Sequence, residues 1–219
     1  MPNYRKSILG LMLISLMSPL QAYADNPFYF ELEFEQQRIP LRDQTRLDTF
    51  GFGFHYREPW LAYVDLDMKL GRLGLDHEKD SATQGYNLGG YYAGLGANVH
   101  TPEKYRLQAG LDLSYNYYDA NDDQSENRLA INWTQAEAKL WLTLRLSTHF
   151  KAFACATALS LDGKQRVKGS SPTLTYLKNQ DDAGLCGGLI METEGHGFAA
   201  IEANGGNKQG GRIYFGRRF

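Results

Sequence analysis

Beyond its first two dozen residues, this 219-residue sequence has no apolar run near the roughly 20 residues that a membrane-spanning helix requires. That excludes a helical membrane protein built on its later segments. Positive charge is not in excess either: 23 Lys+Arg face 25 Asp+Glu, which argues against a basic stripe for nucleic acid and leaves no nucleic-acid partner expected. Proline is sparse, at seven residues, and with no long helical pattern, no repeat of 20 to 50 residues and no linker, the chain reads as one domain. There are only two cysteines, none near the N-terminus, which excludes a lipoprotein anchor.

The one long apolar stretch lies at the front. Arg5 and Lys6 precede "ILGLMLISLM", which leads to "AYA" at Ala22 to Ala24. This order reads as a secretory signal over 1–24, cleaved after Ala24, with an uncleaved anchor as the alternative. The mature domain is then 25–219, with 21 Lys+Arg against 25 Asp+Glu and a net charge near −4.

Within that domain the dominant signal is alternation. "FYFELEFE" sets Phe28, Phe30, Leu32 and Phe34 against Tyr29, Glu31, Glu33 and Glu35. "TFGFGFHY" sets Phe50, Phe52 and Phe54 against Gly51, Gly53 and His55, and "AEAKLWLTLRL" sets Ala136, Ala138, Leu140, Leu142, Leu144 and Leu146 against Glu137, Lys139, Trp141, Thr143 and Arg145. A period of two marks strands with two different environments on their two faces.

A soluble sandwich also alternates, so length must decide. Several runs reach the 9 to 11 residues that cross a bilayer as tilted strands, beyond the usual 5 or 6 of globular sheets. Tight connections at 57–59, 100–104, 147–149 and 193–197 alternate with long polar ones: "QQRIPLRDQTR", "LGLDHEKDSATQ", "DANDDQSENR", the stretch 162–182 and "NGGNKQGG". Counting through predicts ten strands, at 28–38, 46–57, 59–71, 84–99, 104–118, 130–147, 149–162, 183–193, 196–205 and 209–219. Strands seven to nine are rich in small residues, so eight strands with a folded loop is the alternative. An even count puts both ends on one side, and the first and last strands should pair to remove the sheet edges.

At the C-terminus, Gln209, Gly211, Ile213 and Phe215, with Phe219 as the terminal aromatic, follow the order polar, any, Gly, any, apolar, any, aromatic. On this tail, the leader and the strand pattern, the chain resembles the small outer-membrane β-barrel proteins of Gram-negative bacteria. The resemblance implies an all-β, transmembrane, antiparallel up-and-down barrel with periplasmic termini and turns and extracellular loops. It also implies contact with outer-membrane lipid and lipopolysaccharide, and with the outer-membrane assembly machinery that reads the tail. A monomer is expected, with an unidentified protein partner as the alternative. Arg217 departs from the apolar position before the end, which suits only the headgroup rim.

Parity assigns Glu31, Glu33, Glu35, Asp65, Asp67, Asp112, Glu137, Glu192 and Glu202 to the inside, against Lys69, Arg106, Lys139, Arg145, Lys151, Arg212 and Arg218. Nine acids and seven bases in a narrow cylinder predict a paired network that fills the lumen, since unpaired buried ions are costly. Glu31, Glu33 and Glu35 should meet Arg212 and Arg218 across the closing seam. A structural, surface-interaction or narrow-channel role follows, with no cofactor.

The alternative is a surface hydrolase. An omptin-like protease would use Asp76–His77, and a lipid-modifying enzyme would need a pair such as Ser147 and His149, which falls at a turn on the wrong side. The five histidines lack metal-ligand spacing. Tyr115, Tyr117 and Tyr118 read as one interfacial girdle, with a sugar platform as the sharper alternative, and Tyr56, Trp60 and Tyr105 as the other girdle. Export and a single available pairing predict a disulfide between Cys155 and Cys186, on inward positions of neighbouring strands, against two buried thiols.

Overall fold

A computed structural model describes residues 28–78, 88–122, 128–168 and 172–219; the leader over 1–24 lies outside them. The described residues form eleven strands and no helix: β1 (Tyr29–Pro40), β2 (Arg46–Leu61), β3 (Val64–Glu78), β4 (Leu88–His100), β5 (Leu107–Asp122), β6 (Arg128–Arg145), β7 (Phe150–Lys168), β8 (Thr173–Lys178), β9 (Ala183–Glu192), β10 (Gly197–Gly206) and β11 (Gln209–Arg218). All pairings are antiparallel, and β1 pairs with β11 from Tyr29↔Arg218 to Arg38↔Gln209, so the sheet closes as predicted.

The number of strands changes with height. Near the chain termini the ring has ten: β1 to β7, then β9, β10 and β11. The β10–β11 hairpin turns early, at Asn207 and Lys208, and both are buried. Above it β8 takes over from β9 on β7, pairing Asp162–Val167 with Thr173–Lys178. Pro40 to Arg42 then reach β8's end directly, through an isolated Leu41↔Asn179 bridge and the bonds Arg42 N–H to Lys178 O (3.1 Å) and Gln180 N–H to Pro40 O (2.9 Å). At this upper level β1 to β8 thus enclose the interior, with β8 joined to β1 by this one bridge. The closed ring is ten-stranded, as counted, and β8 is an extra strand above it.

Two buried asparagines join these levels where β7 changes partner. Asn179 accepts from the Leu161 N–H (2.9 Å) and donates to Leu159 O (3.0 Å), replacing the ladder bonds that the switch interrupts. Asn207 donates to Asp182 O (3.1 Å) and accepts from the Thr157 hydroxyl (3.2 Å).

Each long strand inverts its polarity at this junction. Lower β6 turns Leu140, Leu142 and Leu144 outward and Glu137 and Lys139 inward; upper β6 buries Leu129, Ile131 and Trp133 and turns Asn132 and Thr134 outward. On β7, Ala154, Ala156 and Ala158 face outward below, whereas Asp162, Lys164 and Arg166 do so above, over buried Leu159 and Leu161. The lower wall carries a continuous belt of exposed Leu, Phe, Ile, Met and Tyr, far beyond what a water-facing surface tolerates. About ten residues per strand, at about 3.3 Å each and tilted about 40°, give the belt a height near 25 Å, that of outer-membrane barrels. The upper ring has the opposite arrangement, that of a soluble barrel with its own apolar core: Ile39, Leu41, Leu47, Leu73, Leu75, Leu88, Ala120, Leu129, Ile131, Leu159, Leu161 and Leu177.

This explains where the expected boundaries move. Most of the polar stretches read as long loops are walls of the upper ring: the first connection shrinks to 41–45, and 162–182 contains the end of β7 and all of β8. The turn expected at 57–59 lies at Ala62–Tyr63. Arg106, expected in the lumen, is exposed: Tyr105 and Arg106 both have positive φ (53° and 66°) in a two-residue turn closed by Lys104 and Leu107, so β5 starts at Leu107 and not at 104. Tyr118 is not part of a girdle. It is buried, stacked between Tyr92 (5.6 Å) and Trp133 (4.6 Å). Tyr115 and Tyr117 do face outward.

Cys155 and Cys186 are direct cross-strand partners on β7 and β9, with Cα atoms 4.9 Å apart, and form a disulfide.

Candidate functional site

The interior of the ten-stranded level is a cavity of about 280 Å³ lined by charged side chains. Tyr92, Tyr118 and Gln37 bound it toward the apolar core above, and residues near the strand ends such as His100, Lys151 and Arg218 line it below. The ionic network therefore lines this space without filling it. What fills the barrel is the core of the upper ring.

Glycines let the aromatic boundary form. A Cβ on Gly53 or Gly71 would collide with the Tyr92 ring, so these two residues of β2 and β3 let Tyr92 lie across the wall and donate its hydroxyl to Glu33 Oε1 (2.9 Å). The same Glu33, 1 % exposed, receives Lys69 and Arg212, each at 3.4 Å. Arg212 reaches on to Glu202 (2.9 Å), which also takes Lys139 (2.7 Å). Lys208 pairs with Glu137 at 2.8 Å. Removing one partner from such a pair strands the other in a poorly solvated wall, typically at about 3–5 kcal/mol.

On the same wall, beside Lys69, His55 is held between two carboxylates. Nδ1 lies 3.0 Å from Glu31 and Nε2 3.0 Å from Asp67, and Asp67 also accepts from Arg57 (2.7 Å). Both ring nitrogens are therefore engaged by carboxylates of the neighbouring strands.

The expected network is present with altered membership. Glu31, Glu33, Asp65, Asp67, Lys69, Asp112, Glu137, Lys139, Lys151, Glu192, Glu202, Arg212 and Arg218 all line the cavity, as does Glu35. Of the expected seam contacts, Arg212–Glu33 forms, whereas Arg218 turns to Glu192 (3.0 Å) and lies over the Tyr29 ring. Arg145 sits at the mouth, bonded to Glu103 in the turn (2.7 Å) and near Glu192 (3.5 Å). Arg57 and Lys208 take the places expected for Arg106 and Arg145. Both fell in segments read as connections, "REP" and "NGGNKQGG". His55 shared the inward parity of its strand, and that parity was the available signal.

Asp76 and His77 diverge: Asp76 faces outward, and buried His77 bonds Gln165 (2.6 Å) and Thr45 (2.8 Å). Ser147 and His149 lie in the β6–β7 turn. Among the described residues no three His, Cys, Asp or Glu side chains could hold a metal ion together. In the C-terminal strand, Ile213, Phe215 and Phe219 face outward, Gly211 shares their parity, Gln209 pairs with Arg38, and Phe219 stacks on Phe28 at 5.1 Å.

No protein family and no curated relative matches the sequence. Solved structures do match the fold. The translocator domain of the autotransporter NalP from Neisseria meningitidis superposes with a TM-score of 0.52 at 12 % identity, covering 98 % of this chain and 97 % of that one. The β domain of the Bordetella autotransporter BrkA gives 0.54 at 12 % identity, covering 89 % and 99 %. In fold, the chain is a closed antiparallel up-and-down β-barrel, as these two domains are.

Proposed function

We propose that the protein resides in the bacterial outer membrane as a closed, non-conducting barrel. Its ten-stranded level is embedded in lipid, its termini face the periplasm, and its eight-stranded head is displayed outside the cell for a structural or surface-interaction role. The observation that carries this reading is the apolar core of the head, which lies across the barrel axis where a channel would need water. The polarity inversion supports the depth assignment: outward apolar side chains stop where outward Asp, Lys and Arg begin. The outward Ile213, Phe215 and Phe219 of β11 suit an assembly signal, and the belt suits contact with outer-membrane lipid and lipopolysaccharide by a monomer. The hydrolase alternative draws no support from Asp76 and His77, which face opposite sides of β3.

Planar-bilayer recording on the refolded protein tests the closed barrel. The expected result is no steady single-channel current in the wild type. Large steady currents would refute it.

A further inference from the structure

Each lysine or arginine that lines the cavity has a carboxylate oxygen within 3.4 Å. The carboxylates are served less evenly. Among the described residues Asp65, 7 % exposed, accepts no hydrogen bond and has His100 Nε2 at 3.7 Å. Among the same residues Asp112 accepts only from the Asn98 amide and the Trp141 indole N–H (3.2 Å). These two carboxylates occupy one row of the wall, on either side of Asn98: Asp65 pairs with Asn98 across β3–β4, and Asn98 with Asp112 across β4–β5. Lys139 of β6, committed to Glu202 at 2.7 Å, lies across from Asp112 in this row, and beside the row is Trp141. Its indole lies over Gly110 of β5, where a Cβ would collide with the ring.

A nearly buried carboxylate without a donor is disfavoured, and an incoming ammonium would supply what is missing. Two strand spacings separate the backbones of Asp65 and Asp112 by about 10 Å, too far apart to share one metal ion. Two ammonium groups joined by a short aliphatic chain suit that separation, with the methylenes against the indole and one cation near its face. The geometry points to a binding site in the lumen for a small aliphatic diamine, held by Asp65 and Asp112 and flanked by Trp141. The cavity, about 280 Å³, has room for one such molecule. This goes beyond the closed-barrel reading, and because conductance and binding are read separately, either can fail alone.

The test uses the full barrel refolded in detergent and titrated with putrescine, followed by calorimetry and by tryptophan fluorescence. Butanediol serves as the uncharged counterpart. One saturable site is expected, with a fluorescence change that Trp141→Phe removes. Asp65→Asn and Asp112→Asn should each weaken binding ~10-fold, the loss of one charge-assisted hydrogen bond. No saturable heat with the wild type, or undiminished affinity in the two Asn variants, overturns the assignment. Should either Asn variant fail to refold, Asp112→Glu and the diol decide: equal affinity of the wild type for butanediol and putrescine overturns it too, and retained binding by the Glu variant supports it.

Discussion

Asn179 is the side chain on which the change from ten strands to eight turns, so its replacement is the most informative single perturbation. The residue is 3 % exposed and has no polar neighbour to spare. Its carbonyl accepts from Leu161 N–H, and its amide hydrogens serve Leu159 O (3.0 Å), Asp181 O (2.8 Å) and Asp182 Oδ1 (2.8 Å). Asn179→Ala leaves at least two backbone groups of β7, Leu161 N–H and Leu159 C=O, buried without partners. At about 1–3 kcal/mol per stranded group the expected loss is about 3 kcal/mol. Asn179→Leu fills the volume but restores no bond, so it should lose nearly as much. Asn179→Asp keeps the acceptor for Leu161 N–H and loses the donors, and should fall between. The assay is guanidinium unfolding of the refolded barrel in detergent, with limited proteolysis of the segment 162–182 as a local readout. If Asn179→Ala stays within about 0.5 kcal/mol of the wild type and its head is no more easily cleaved, the side chain does not join the two levels as described.

Two further outcomes follow from the same structure. Reducing the Cys155–Cys186 bridge, whose sequence separation of 31 includes β8, should lower stability by about 3–4 kcal/mol on loop entropy, read as a shift in the guanidinium midpoint with and without reductant; an unmoved midpoint contradicts it. At the turn, the Arg145 guanidinium bonded to Glu103 holds that carboxyl below its ordinary pKa, followed by its Coulomb attraction. Its contribution is therefore present above the unfolded carboxylate value of about 4.3 and lost as pH falls through the lower native value. The pair is partly solvent-exposed, so its effect is under about 1 kcal/mol. Comparing wild type with Glu103→Gln at pH 7 and pH 3 checks this: the difference at pH 7 should be smaller at pH 3, and a difference that grows toward acid would contradict it.

The face of each strand was legible in the sequence because side chains alternate strictly about an extended backbone: Phe30, Phe34, Leu140, Ile213 and Phe215 could only lie opposite Glu31, Glu33 and Lys139. Closure of the sheet followed from that two-facedness, and the Cys155–Cys186 pairing from count and parity. Alternation carries no information about height or about neighbours distant in sequence, and there the tertiary structure decided. Ile39 and Leu41 read as part of a loop because they continue β1 on the inward side, in the phase opposite to the outward-facing Phe34, and only the meeting of Leu41 with Asn179 makes them wall. Which acid each base meets was likewise undetermined by parity. Lys208 finds Glu137 because the β10–β11 hairpin stops short and turns its tip inward, and Arg106 misses the lumen because two positive φ angles end β5 beside it. Polarity sets which face a residue joins, and the register of strands far apart in the chain sets what it touches there.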